Sequence, residues 1–406
     1  MPTSKSRFIV NLILPALLAV AGCAEKPANT NAAPNPALQT ESRGTLPDTE
    51  TAPAPRIDGV SLIAARTAGI AVAPLPRSAG RGELILHGGG VLTNDVAEAI
   101  VAHAGPDPRL CLIETFEPGR GDLARFFRRY AGVALTELYL DDENIANPAV
   151  LAALEDCTAH FFGGGDPKQL SMILRPQGQD TPALAVIRRR FDEDGVLVAG
   201  SSAGAMIVGP ITLCECAANS SVQAVLNGKL FKAPGFEFLS QPVLVDAHFF
   251  TRGLMGRHLF ALARDRLPVG VGIDEDGAVL VSGDQKTWRV IGDRRVALLF
   301  TPPDIAPGKL ENFGLALLAP GDEFDPATRT ILLPDGRQTI SGNKLPEDIR
   351  EAGVNFNVGL PITYDFEISD KTIIVTADRN IRPPHWLSGN ESDSVLNAKV
   401  SVRPAD

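Results

Sequence analysis

Val196-Leu197-Val198-Ala199-Gly200-Ser201-Ser202-Ala203-Gly204-Ala205-Met206 is the stretch on which the fold of this chain turns. A short apolar run ends at a glycine, and helix-compatible residues begin right after a serine. That order predicts a strand, a sharp turn and a helix, with Ser202 in the middle of a G-x-S-x-G frame. Gly200 and Gly204 lack a Cβ, so the backbone can fold tightly and carry the serine at its tip. Amides at the start of the following helix point at the same spot and can hold developing negative charge. Ser202 is therefore the candidate nucleophile, with an ordinary Gly/Ser turn as the competing reading.

Outward from this turn the chain alternates. Apolar runs at Leu84–Leu86, Leu110–Ile113, Leu135–Leu140, Ala159–Phe162 and Val196–Ala199 are separated by helical stretches such as Val96–His103, Asp122–Arg129 and Pro182–Arg190. Strand–helix alternation predicts an α/β fold: a mostly parallel sheet with helices on both faces. Chemistry in such sheets gathers at the carboxyl ends of the strands. Those ends read His87-Gly88-Gly89-Gly90, Glu114-Thr115, Asp141-Asp142, Gly163-Gly164-Gly165-Asp166 and Gly200-Ser201-Ser202, so two glycine triplets and the candidate nucleophile converge. Glycines there are expected to let a substrate approach backbone amides.

Upstream, Lys5 and Arg7 precede an apolar run from Phe8 to Val20 and then Ala21-Gly22-Cys23. This is a secretory signal, too short to span a membrane as a helix. Val20-Ala21-Gly22-Cys23 resembles a bacterial lipobox, which implies cleavage before Cys23, its lipidation and stable anchoring by several acyl chains. A plain signal peptide cut near Ala24 is the alternative. Ala24 is not the Asp expected for inner-membrane retention, which favours the outer membrane. Residues 24–56 are rich in Ala, Pro, Asn, Thr and Glu and predict a flexible tether. The expected organisation is a signal at 1–23, this tether, a catalytic domain at 57–333 and a β-rich extension at 334–406, placed in the periplasm or at the cell surface.

Of 406 residues, 44% are hydrophobic and 21% charged, ordinary for a globular protein. The net charge of −10 lacks the basic footprint a nucleic-acid partner needs. Five cysteines are present. With Cys23 assigned to lipid, Cys111, Cys157, Cys214 and Cys216 remain, an even number in an oxidising compartment, and their pairing is open. Cys214-x-Cys216 lacks the second cluster a zinc site needs, so neither metal nor cofactor is expected.

A serine nucleophile needs a base, and the base an orienting group. His103 and His258 fall in predicted helices, His160 leads into a buried strand, and His385 lies near the C-terminus. His87 ends the first strand and is a rival. The best candidate is His248, at the end of the apolar strand in Pro242-Val243-Leu244-Val245-Asp246-Ala247-His248, ahead of a helix with Arg252 and Arg257. Asp274, Glu275 and Asp276 end a further strand; they orient the base or occupy a solvated turn.

Five segments occur here in the order seen in cyanophycinase-like serine peptidases. They are Phe162-Gly163-Gly164-Gly165-Asp166, Gly200-Ser201-Ser202-Ala203-Gly204-Ala205, Asp246-Ala247-His248-Phe249 with Arg252, Gly272-Ile273-Asp274-Glu275, and Ala319-Pro320-Gly321-Asp322-Glu323-Phe324-Asp325. The resemblance covers about residues 80 to 335. That family includes aspartyl dipeptidases and resembles class I glutamine amidotransferases in fold (flavodoxin-like), with Ser in place of Cys.

The resemblance implies a Ser-His-Glu triad of Ser202, His248 and Glu275. It also implies an oxyanion hole from the Ala203 and Gly165 amides, and substrate contacts from Asp166, Asp246, Arg252 and Arg257. An α/β-hydrolase esterase would instead place its acid before the histidine. The family usually has Gln where this chain has Pro167 and Ala247, and its R-x-R is reduced to Arg252-Gly253-Leu254. Lost side-chain donors change specificity, so the expected substrate is a small peptide or isopeptide other than cyanophycin. A homodimer is the candidate assembly. A catalytically weak, partner-binding lipoprotein retaining the fold is the alternative. Beyond about residue 278 the runs Ala278–Val281, Trp288–Ile291, Val296–Phe300, Gly314–Ala319, Arg329–Leu333 and Thr372–Ala377 read as antiparallel strands, the earlier ones as hairpins at the sheet edge.

Overall fold

The computed structural model describes residues 69–115, 122–215, 220–306 and 309–332, together with the backbone of strands Arg56–Ile57, Val60–Ile63, Gln338–Ile340, Pro361–Tyr364, Ile373–Ala377, His385–Ser388 and Asp393–Pro404. The expected signal, Cys23, nearly all of the tether, and Cys216 lie outside the described residues.

Five strands form the parallel heart of an eleven-stranded sheet. In spatial order they are Ala134–Tyr139, Arg109–Glu114, Ala159–Phe162, Leu197–Ser201 and Leu84–His87. All five expected runs are strands. Each is short and largely apolar on both sides because helices cover both faces. Leu154, Leu170, Leu184 and Ile187, from helices Pro148–Asp156, Pro167–Leu174 and Pro182–Asp194, pack with Leu84, Cys111 and Val198 on one face. Val96, Ile100 and Phe127, from helices Asn94–His103 and Asp122–Phe127, pack with Ile85, Leu112 and Ala199 on the other. Cys111 and Cys157 form a disulfide, with their Cα atoms 5.8 Å apart. It ties the Arg109–Glu114 strand to the start of Ala159–Phe162.

The hairpin Gly277–Val281 and Trp288–Gly292 extends this sheet antiparallel beside Leu84–His87, at the expected edge. Glu323–Asp325 and Thr330–Leu332 continue it antiparallel, whereas the other late strands join a second sheet. Val243–Asp246 and Val269–Ile273 run parallel to each other in that sheet, and Val296–Phe300 and Leu310–Leu318 continue it antiparallel. Asp393–Pro404 pairs antiparallel with Leu310–Leu318, and Ile373–Ala377 with Asp393–Pro404, so the β-rich C-terminal strands lengthen this second sheet. The nucleophile's strand and the two strands that lead to His248 and Glu275 therefore belong to different sheets. Among the described residues no helix is long and apolar enough to cross a membrane.

Candidate active site

Ser202 sits between strand Leu197–Ser201 and the short helix Ala203–Met206, with φ 55° and ψ −117°. A positive φ is costly for a residue with a side chain, and such strain concentrates at functional turns. The turn is held from outside by Ser202 N donating to His87 O at 2.9 Å. The frame glycines are required by contact. A Cβ on Gly200 would meet Gly204 O at 2.2 Å, and one on Gly204 would meet Phe162 O at 2.2 Å.

Across the junction of the sheets, Ser202 Oγ lies 2.7 Å from His248 Nε2. His248 Nδ1 lies 2.6 Å from Glu275 Oε1. His248 is 5% exposed and takes φ 52° just past the end of Val243–Asp246. The hydrogen bond to His248 holds the Glu275 carboxyl below its ordinary value against partial burial, with Arg252 helping. Arg252 Nε is 3.8 Å from Glu275 Oε1. A carboxylate kept ionised in this place stabilises a charged imidazole.

The rival groups are accounted for. His87 Nδ1 bonds Ser201 Oγ, not Ser202, at 2.9 Å, and burial lowers its pKa to about 4. Asp274 Oδ1 accepts from the amides of Phe250 at 3.0 Å and Thr251 at 2.9 Å; burial raises its carboxyl. Asp276 Oδ1 accepts from Val91 N at 2.7 Å.

Gly88-Gly89-Gly90 does not open a path for substrate in the way the sequence suggested. It is the seam between the sheets: His248 N donates to Gly88 O at 2.9 Å and Asp276 N to Gly89 O at 2.8 Å. The second triplet does abut the nucleophile. A Cβ on Gly164 would stand 3.4 Å from Ser202 Cβ, and Gly165 follows it. Ala203, the first residue of the helix after the nucleophile, is 1% exposed.

Three of the expected substrate contacts are redirected by the fold. Asp246 and Arg257 are fully buried and paired with each other, through Arg257 Nε to Asp246 Oδ2 at 3.0 Å and Arg257 NH2 to Asp246 Oδ1 at 2.5 Å. Burial acts to raise the Asp246 carboxyl, but Arg257 and His258 outweigh it and hold it lower. Arg257 also donates to the carbonyls of Cys214 at 3.3 Å and Glu215 at 2.9 Å. This pair is a buried brace at the end of the strand that leads to His248. Asp166 caps the Pro167–Leu174 helix, its Oδ1 accepting from Lys168 N at 2.9 Å. Arg252, partly exposed, is the one expected contact that stands at the site itself.

A hydroxyl, an imidazole and a carboxylate hydrogen-bonded in series is the arrangement by which serine hydrolases activate a nucleophile. Residues 122–289 match the model of Peptidase family S51. The chain is 31% identical over 216 residues to the cyanophycinase of Synechococcus elongatus, covering 50% of this chain and 64% of that protein. It is 32% identical over 185 residues to the cyanophycinase of Geminocystis herdmanii, covering 43% and 65%. The matched region thus spans less than two thirds of these curated relatives. The solved structure of a peptidase from an acI-B1 Actinobacterium superposes with a TM-score of 0.46 at 21% identity, over 61% of this chain and 98% of that one. Four of the five motif segments lie within the matched residues 122–289, which upholds the resemblance there; Ala319–Asp325 lies beyond them.

Proposed function

We propose that this chain is a serine peptidase of the exopeptidase or omega-peptidase class, acting on a small peptide or isopeptide. Ser202 attacks the scissile carbonyl while His248 Nε2 takes the hydroxyl proton. His248 then gives that proton to the leaving amine, and water repeats the sequence to free the enzyme. Glu275 fixes the imidazole and balances its charge. The amides of Ala203 and Gly165 hold the tetrahedral oxyanion, where one donor contributes about 3 kcal/mol. The observation that carries the reading is the series Ser202 Oγ, His248 Nε2, Glu275 Oε1 at 2.7 and 2.6 Å on a strained turn.

Specificity departs from the relatives whose name denotes cyanophycin hydrolysis. Pro167 carries no amide donor, Ala247 is buried, and Asp246 and Arg257 hold each other. Arg252 is left to meet a substrate carboxylate. Labelling of the wild-type chain by an uncharged fluorophosphonate, lost in Ser202→Ala, tests the nucleophile. A screen of isopeptide, isoaspartyl and N-terminal-Asp dipeptides tests the substrate class. Full hydrolysis by Ser202→Ala would end the proposal. We further propose lipid anchoring through Cys23: Cys23→Ser should release the protein from membranes, and an unchanged membrane fraction refutes it.

A further inference from the structure

Strands Arg109–Glu114 and Ala159–Phe162 are followed by helices that lie on opposite faces of the sheet. The first leads to the helix Asp122–Phe127, on the Ile85 side. The second leads to Pro167–Leu174, on the Leu84 side. Ligands of such sheets bind at the carboxyl edge, where successive helices part to opposite faces. Gln169 Nε2 donates to Thr115 O at 2.9 Å, linking the helix after one strand to the end of the other.

Glu114 ends its strand at this edge. Ile113 pairs with Phe162 and Phe162 with Gly200, so Glu114, Gly163 and Ser201 are level across three strands. A Cβ on Gly163 would come within 3.3 Å of Glu114 Cγ and 3.8 Å of Glu114 Oε1, and Gly164, next in the chain, lies against Ser202. The carboxylate and the nucleophile thus flank one turn, Gly163-Gly164, that carries no side chain of its own. Two strand spacings amount to about 10 Å, the length of roughly three extended residues. Burial and the nearby Glu137 raise the Glu114 carboxyl above its ordinary value.

We infer that Glu114 is a specificity-determining residue that binds a cationic group of the substrate, an ammonium or a guanidinium, within about three residues of the scissile bond. This rests on Ser202 being the nucleophile. The cation is either the free N-terminus of a short peptide or a basic side chain, and the test separates them.

Three probes are titrated calorimetrically into the full chain carrying Ser202→Ala: Asp-Leu, N-acetyl-Asp-Leu and N-acetyl-Asp-Arg. One cationic probe should bind about tenfold or more tighter than N-acetyl-Asp-Leu, the scale of a charge-assisted hydrogen bond. Glu114→Gln should erase that preference and Glu114→Lys reverse it. Preference for Asp-Leu assigns the N-terminal ammonium; preference for N-acetyl-Asp-Arg assigns the side chain. Equal affinities, a preference that survives Glu114→Gln, or no binding of any probe overturns the inference. Fluorophosphonate labelling of the wild-type chain reports on Ser202 separately, so loss of the nucleophile reading and loss of the Glu114 reading are distinct results.

Discussion

The imidazole of His248 occupies the space a side chain on Gly89 would need: a Cβ there would fall 2.2 Å from His248 Cε1 and 2.5 Å from Nε2. Gly89 also takes φ 96°, which disfavours any L side chain. Gly89→Ala should therefore push the ring off Ser202. Displacement of a catalytic group by about 1 Å can cost roughly a hundredfold, so kcat should fall by about that factor. Steady-state kinetics check this, and wild-type kcat in Gly89→Ala would show that the ring position does not matter.

Glu275 and Asp274 are neighbours with opposite tasks. Glu275→Gln should lower kcat by up to about ten-thousandfold, the scale for losing a triad carboxylate, with little change in melting temperature. Asp274→Asn should do the reverse, because its Oδ1 anchors the amides of Phe250 and Thr251. Paired kinetics and thermal melts of the two variants decide the assignment, and an exchanged pattern would hand the orienting role to Asp274.

His248→Ala should lose activity, whereas His87→Ala should keep a substantial part of it, since His87 bonds Ser201 and not Ser202. The reverse result would reassign the base.

Acid should destabilise the fold below neutral pH. His87 and His160 each have a pKa lowered to about 4, chiefly by burial. Both are neutral when folded, while the unfolded chain takes up their protons below about pH 6.5. Their contribution is complete above 6.5 and is lost as pH falls toward 4. A shift of 2.5 units amounts to about 3 kcal/mol per imidazole. His258, also lowered chiefly by burial, adds to this loss, while the raised Asp274 opposes it. Melting temperature measured from pH 8 to 4 should drop through this window; a flat profile contradicts the buried, neutral imidazoles.

Arg257→Met should lower stability by about 3–5 kcal/mol, because it strands the buried Asp246 charge. Denaturant midpoints measure this. A fully stable variant with a raised KM would instead place Arg257 against the substrate.

Much of this protein was legible in its sequence. Five short apolar runs with helical intervals gave the parallel core, because a strand buried on both faces must be apolar throughout. The G-x-S-x-G frame located the strained turn, since Gly200 answers to Gly204 within one strand–turn–helix unit, while Gly204 itself packs against Phe162 of the neighbouring strand. These signals are local, and local steric rules write them into neighbouring residues.

What the sequence left open was decided by contacts between distant segments. His87 and His248 both end strands, yet only His248 reaches Ser202, because the second sheet meets the first along Gly88-Gly89-Gly90. Asp246 and Arg257 looked like groups for a substrate and became each other's partners, since burial leaves a charge no stable alternative to a paired one. The cysteine pairing was equally open until Cys111, on its strand, met Cys157 at the end of helix Pro148–Asp156. Periodicity fixes which face of an element is apolar; which elements meet depends on long-range register, and that is settled only when the two sheets pack.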